Sequence, residues 1–222
     1  GLMAALVMET SLQQVYLARA AVTAMTLVFF LTAALYCYRR WLGGGEARCT
    51  GWAIACGLAT GLATLTKGPV AMVLLSATFF VHLLWLRRGR LLLSRGAFLA
   101  VLFALLVGLP WFLWMYKLHG QLFWNGFLVA NNFKRFLKAE HAQQTGKWYS
   151  LFLNFPVLLL FFFPWSAFLP QAIGHCYKKY MRGEAAEPQA ATGTIIGARL
   201  ALVWGVIVFV FFSISKTQLV TY

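Results

Sequence analysis

Aspartate is absent from these 222 residues, and the acids number five: Glu9, Glu46, Glu140, Glu184 and Glu187. Chemistry that needs a carboxylate must use one of these glutamates or a group outside the chain. Charge of either sign is scarce, at 11% of residues, where soluble domains carry about a quarter. So little charge cannot coat a water-facing surface, and a soluble globular domain is excluded. Cysteine is limited to Cys37, Cys49, Cys56 and Cys176, with no CxxC pair, and His82, His119, His141 and His175 stand far apart. No metal site follows from these spacings, and scattered cysteines in apolar runs read as packing residues.

What is present is apolar and basic. Hydrophobic residues make up 61% of the chain, with 20 Phe and 9 Trp, and the mean hydropathy is +0.74. A membrane-spanning helix needs roughly 20 apolar residues. The runs predict a partial span at 1–8 and further spans at 20–38, 52–65, 69–86, 97–116, 151–169 and 195–213. Thr66-Lys67-Gly68-Pro69 separates the third and fourth runs as a tight turn, because Gly followed by Pro breaks a helix. Pro110 is expected to kink the 97–116 span, and Pro156 and Pro164 interrupt the 151–169 run. Gly1 opens the chain without a methionine and Tyr222 closes it just after an apolar run, so it reads as an internal piece of a longer protein.

The net charge of +14 comes from 19 Lys and Arg. Anionic headgroups and the positive-inside bias account for such an excess in a membrane protein without invoking nucleic acid. If the turn at Lys67 reverses the chain, eleven of the cations share one side: Arg39, Arg40, Arg48, Arg87, Arg88, Arg90, Arg95, Lys178, Lys179, Arg182 and Arg199. That side is expected in the cytoplasm. The other eight include Lys117, Lys134, Arg135, Lys138 and Lys147, in the long polar stretch 117–150. There Phe123, Trp124, Phe127, Leu128, Phe133, Phe136 and Leu137 recur among the cations at three- and four-residue spacing, the pattern of an amphipathic helix in the interface. It serves either as an interfacial anchor or as a basic shelf for a lipid phosphate.

Four segments carry a resemblance: LARAAVTAMTLVFFLTAALY (17–36), GLATGLATLTKGPVAMVL (57–74), NNFKRFLKAEHAQQTGKWYSLFLNFPVLLLFFFPWSAFLP (131–170) and FFSISKTQLVTY (211–222). In this order and spacing they resemble the bacterial branch of the protein O-mannosyltransferase family, which includes the lipid A aminoarabinose transferases. The resemblance implies an all-α, polytopic transmembrane helix bundle of the GT-C type, with a basic amphipathic interfacial segment. It implies an enzyme of the bacterial inner membrane that takes a sugar from a polyprenyl-phosphate carrier. The acceptor would be a lipid, a glycan or a protein at the periplasmic face. The leaving group is then a lipid phosphate, beside which cations stabilise developing negative charge, while a carboxylate activates the acceptor hydroxyl.

On that likeness, five residues are candidates for contact with carrier phosphate or substrate: Lys67 in the TKGP turn, Arg135 and His141 in the amphipathic stretch, Arg19 and Lys216. Each also has a plain reading as an interfacial anchor or a snorkelling helix end. Three departures set the chain apart from the family pattern. Ala24 stands where an acid is expected, Gln218 precedes Leu219 where a second basic residue is usual, and Asn131 and Asn132 replace a frequent histidine. The family's acidic pair is expected upstream of the chain, and Glu9 matches no family catalytic position. No catalytic residue is therefore assigned, no metal ligand is found, and whether a divalent metal serves the full-length protein stays open. The chain alone is expected not to transfer sugar. A transporter, or a relative that binds the carrier without turnover, are the competing readings. The missing internal repeat and intramembrane acids count against a transporter.

Overall fold

The computed structural model describes residues 2–12, 14–15, 23–43, 46–127, 129, 156, 159–176 and 188–214. All regular structure among them is helical: α1 (Leu2–Thr10), α2 (Thr23–Gly43), α3 (Glu46–Lys67), α4 (Val70–Trp85), α5 (Arg95–Phe123), α6 (Leu169–Cys176) and α7 (Pro188–Ile214), with 3-10 segments at Gly89–Leu93 and Trp165–Phe168. The 22 residues of α3 extend about 33 Å, enough to cross a hydrocarbon core of about 30 Å. Segments Arg95–Phe127 and Ile195–Ser213 are long and apolar enough to do the same. The chain is an all-α transmembrane bundle.

Packing fixes the helix directions. Leu31, Ala34, Ala59, Ala63, Ala71 and Leu75 form one buried cluster; Cys37, Tyr38, Cys56, Leu83 and Leu200 form a second. Residue numbers rise along α2 and α4 between the clusters and fall along α3, so α3 runs antiparallel to both neighbours. Trp204 packs on the first cluster and Leu200 belongs to the second, so α7 also opposes α2 and α4. Arg39, Arg40, Arg87, Arg88, Arg90, Arg95 and Arg199 therefore gather at one end of the bundle, and Lys67 lies at the other.

The seam between α3 and α5 is built from small residues. A side chain at Gly57 would collide with the carbonyl oxygen of Ala100; one at Gly61 would come within 2.7 Å of Val107 Cβ and 2.9 Å of the Ala104 carbonyl oxygen. Gly57 and Gly61, four apart, meet Ala100 and Ala104, also four apart, so the two helices run parallel with their backbones nearly touching. Bringing backbones together over small residues is how helices associate where lipid removes the hydrophobic drive. The hydroxyls on this part of α3 are satisfied locally, Thr60 donating to the Cys56 carbonyl and Thr64 to the Thr60 carbonyl, each at 2.8 Å.

At the arginine end a buried polar bridge joins three helices. The Nε2 of His82 lies 3.2 Å from the Ile196 carbonyl oxygen and its Nδ1 lies 3.0 Å from the Tyr38 hydroxyl. A carbonyl only accepts, so Nε2 carries the proton and Nδ1 accepts from Tyr38. Both side chains are fully buried, and the Tyr38 ring stacks on Phe79 at 4.1 Å. The histidine thereby ties α4 to α2 and α7.

Several boundaries differ from those expected. Helix α2 continues through Arg39 and Arg40 to Gly43, and α3 begins at Glu46, so the basic stretch 39–50 is almost wholly helical. The Arg40 guanidinium rests 5.2 Å from the centre of the Trp52 ring, and cations are favoured at a helix C-terminus. Helix α5 contains Pro110 and leaves helical angles at Gly120. It also runs past Tyr116, the expected end of the span, to Phe123, with the break at Gly120. Around Pro164, one of the two interruptions expected in the 151–169 run, the chain turns and forms a 3-10 segment before α6.

The seam makes a direct prediction. In the full-length protein, Gly57→Ala should lower the unfolding midpoint, at a cost of about 1–3 kcal/mol for overpacking. Gly51→Ala, where an added Cβ meets nothing within 4 Å, should leave it unchanged or raise it. Equal midpoints for the two variants would show that the seam tolerates a methyl group.

Candidate functional site

The turn between α3 and α4 is held by two residues that cannot be exchanged for ordinary ones. Gly68 has φ 91°, a left-handed angle that penalises any Cβ, and its N–H donates to the Thr64 carbonyl at 2.8 Å, closing α3. Pro69, with φ −59°, caps α4. Lys67 sits on the last turn of α3, exposed, at the end of the bundle opposite the arginines.

Beside this turn lies a groove of about 520 Å³ between α3, α4 and α5. Its walls are Met72, Leu105, Leu109, Phe112 and Leu113, and its floor passes Gly108, whose missing side chain leaves room beside Thr64. Thr64 and Pro69 line it, respectively three residues before and two residues after Lys67. Polar atoms enter only through Thr64, Tyr116, Gln121 and Trp124. The groove is thus apolar along most of its lining, with a few hydrogen-bonding groups; Lys67 belongs to the adjoining turn and is not itself one of the lining residues.

Gly120 shapes the far wall. Its angles, φ 52° and ψ −129°, bend the end of α5 back on itself. Phe123 then comes 5.8 Å from Trp111, and Phe127 stacks on Phe123 at 5.3 Å and lies 5.9 Å from Trp111, measured between ring centres. This aromatic clasp holds Gln121, Phe123 and Trp124 over the groove.

Of the five candidate residues, Lys67 is placed beside the groove. Arg19, Arg135, His141 and Lys216 lie outside the described residues, as does the stretch 131–150. Glu9 is exposed near the end of α1, next to Thr10, whose hydroxyl accepts a hydrogen bond from Trp165 at 2.8 Å. Among the described residues no three His, Cys, Asp or Glu side chains converge as a metal site would require. Tyr116, Gln121 and Gly120 carry no motif, and their role was hidden in the sequence. The available signal was Gly120 itself, after Lys117 and His119, where the apolar run gives way.

Comparison with known proteins points one way. A family model described as dolichyl-phosphate-mannose-protein mannosyltransferase matches residues 1–123, which include Lys67 and all but the last residue lining the groove. The undecaprenyl phosphate-alpha-4-amino-4-deoxy-L-arabinose arabinosyl transferase of Pseudomonas paraeruginosa is 37% identical over 180 residues, covering 81% of this chain and 29% of that protein. The protein of the same name from Shewanella sediminis is 35% identical over 176 residues, covering 79% and 28% respectively. This chain thus spans less than a third of the length of these relatives. The crystal structure of ArnT from Cupriavidus metallidurans bound to undecaprenyl phosphate superposes with a TM-score of 0.66 at 26% identity, covering 90% of this chain and 33% of that one.

Gly120→Ala should undo the bend, at a cost of about 1–3 kcal/mol for forcing a side chain into such angles. Hydrogen–deuterium exchange across 121–127 should rise in the variant. Unchanged protection there would mean that the aromatic clasp holds the bend without the glycine.

Proposed function

Because the chain belongs to the dolichyl-phosphate-mannose-protein mannosyltransferase family, we propose that it forms part of a polyprenyl-phosphate-sugar-dependent glycosyltransferase. The observation that carries this reading is the apolar groove running beside the Lys67 turn. A polyprenyl chain is a long hydrocarbon with an anionic phosphate at one end. The groove offers apolar walls, and the turn that carries Lys67 adjoins it. The match to relatives with GT-C architecture supports the same reading, and the names of those relatives suggest the donor: undecaprenyl phosphate carrying 4-amino-4-deoxy-L-arabinose.

In the proposed step, the bond from the anomeric carbon to the carrier phosphate oxygen breaks as an acceptor hydroxyl attacks. The departing phosphate gains negative charge, and the Lys67 ammonium, a compact point charge, stabilises it. Thr64, Tyr116 and Gln121 supply hydrogen-bonding groups in the groove. Helix α5 ends at the Lys67 end, and the segment with Arg135 and His141 follows it in the chain, so these two join the phosphate site in this reading; Arg19 and Lys216 are assigned to it by family likeness. The base that takes the acceptor proton is not among the residues assigned here.

The reading places the Lys67 end in the periplasm and the arginine end in the cytoplasm, following the eleven-to-eight division of cations. In a cysteine-free full-length protein, an impermeant thiol reagent on spheroplasts should label Gln144→Cys and spare Gly183→Cys. The reverse pattern would invert the topology.

Lys67 gives the functional test. In the full-length protein, Lys67→Ala should weaken binding of the lipid-linked donor roughly ten- to hundred-fold, the worth of a hydrogen bond to a charged group. Lys67→Arg should recover only part of this, since a planar fork does not replace a point charge. Wild-type affinity and turnover in a folded Lys67→Ala protein would remove the residue from the site.

A further inference from the structure

The turn that joins α4 to α5 breaks two local rules. Arg87 follows the C-cap of α4 with φ 54°, a left-handed angle that a bulky side chain rarely takes. The Arg88 N–H donates to the Leu83 carbonyl and the Arg87 N–H to the Leu84 carbonyl, both at 2.9 Å. That pair of bonds closes a helix around a left-handed residue, and glycine is the usual one. Here the glycine stands two residues later, at Gly89. Arg95 then opens α5, whose first turn holds no acid, so a cation sits at the positive end of the helix dipole. Sequences keep such locally unfavourable choices where a function compensates for them.

The rest of the turn is firmly made. Leu91 packs on the second buried cluster; its N–H donates to the Arg88 carbonyl at 2.9 Å, and its carbonyl accepts from the Ser94 hydroxyl at 2.6 Å. On this fixed frame Arg87, Arg88, Arg90 and Arg95 are exposed, and Leu93 is 94% exposed with Leu92 beside it. All four cations are arginine, although lysine satisfies the positive-inside bias equally well. Length decides the level of the turn. The 16 residues of α4 extend about 24 Å, short of a hydrocarbon core of about 30 Å. A short span thins the bilayer around it and brings its flanking residues to the headgroups. Trp85 closes α4 and is exposed, and tryptophan favours that same level.

We propose that the α4–α5 turn is a docking surface for anionic phospholipid, held by its phosphate on Arg87, Arg88, Arg90 and Arg95. A guanidinium fork takes phosphate through two parallel N–H bonds, which a lysine ammonium does not do. Leu92 and Leu93 enter the acyl layer beside the headgroup. Binding the anion offsets both the strain kept at Arg87 and the cation at the start of α5. A zwitterionic lipid brings its own ammonium and fits less well among four cations. The surface lies at the end of the bundle remote from Lys67 and does not depend on the activity proposed above.

The test uses the full-length protein in non-ionic detergent, titrated with phosphatidylglycerol, phosphatidylcholine or inorganic phosphate. Native mass spectrometry reads retained lipid and thermal unfolding reads the midpoint, which a ligand of the folded state raises. Phosphatidylglycerol should be retained and should raise the midpoint; phosphatidylcholine and inorganic phosphate should not. Arg87→Gly should split the two readouts. Its midpoint without lipid should exceed that of wild type, because glycine suits the left-handed angle, while its retention of phosphatidylglycerol should fall. Arg88→Lys and Arg90→Lys combined keep the charge, lose the forks and should weaken retention roughly ten-fold. Arg40→Lys, at the same end of the bundle, should leave it unchanged. If the double variant does not fold, Arg88→Lys alone is read in its place. Wild-type retention in the folded Arg87→Gly and lysine variants, or an equal response to phosphatidylcholine or inorganic phosphate, would overturn the proposal. So would a lipid-free midpoint that falls in Arg87→Gly, since the fold itself would then hold the arginine there.

Discussion

The close approach of α3 and α5 sets the terms for the rest of the bundle. In lipid there is no aqueous phase for apolar faces to escape, so association rests on dispersion, which decays steeply with separation. Gly57 and Gly61 let α3 reach the backbone of α5 at Ala100 and Ala104. Further along the same seam the helices still run side by side, but Gly108 leaves a space in front of Thr64. The groove begins where close packing stops. A wider seam would carry Thr64 and the Lys67 turn away from Phe112 and Tyr116, and the groove would lose its shape before any of its own lining residues had changed.

The two ends of the bundle handle polarity in opposite ways. At the arginine end, Tyr38 and His82 are sealed inside and spend their hydrogen-bonding groups on one another and on the Ile196 carbonyl. At the other end, the Gly68–Pro69 turn leaves Lys67 exposed beside an apolar channel. A closed end gives rigidity, and an open end gives access. Lysine and arginine divide accordingly among the described residues. The turn has a single flexible ammonium, whereas planar guanidiniums crowd the closed end, two of them resting on the tryptophans Trp52 and Trp85.

Much of the fold was legible because lipid imposes a simple pattern. The Gly68–Pro69 break could be read directly, since no helix continues through that pair, and it placed Lys67 correctly at a turn. Helix ends near arginine were harder. Arg39 and Arg40 looked like a boundary by charge alone, but long side chains carry their cations outward while the backbone stays helical. Pro110 drew attention in the sequence by its missing N–H, while Gly120, where backbone freedom lets the chain leave helical angles, did not. The groove itself could not be read, because its walls come from three helices whose apolar faces look uniform in sequence. His82 appeared as one of four isolated histidines. Its partner Tyr38 is 44 positions away, and only the antiparallel course of α3 brings the two together. Arg19, Arg135, His141 and Lys216 rest on family likeness, outside the described residues.

The histidine bridge also bears on how the chain is made. Tyr38 and His82 are synthesised close in time, and their mutual hydrogen bond can form once α4 has entered the membrane. The Nε2 proton of His82 then has no acceptor until Ile196 emerges, 114 residues later. During translation the early helices therefore hold an unmatched donor inside the bilayer, where such a group is costly. Arrival of α7 removes that cost. The ribosome thus delivers the bundle with its latch set and its keeper still to come, and a chain halted before residue 196 would lack that acceptor.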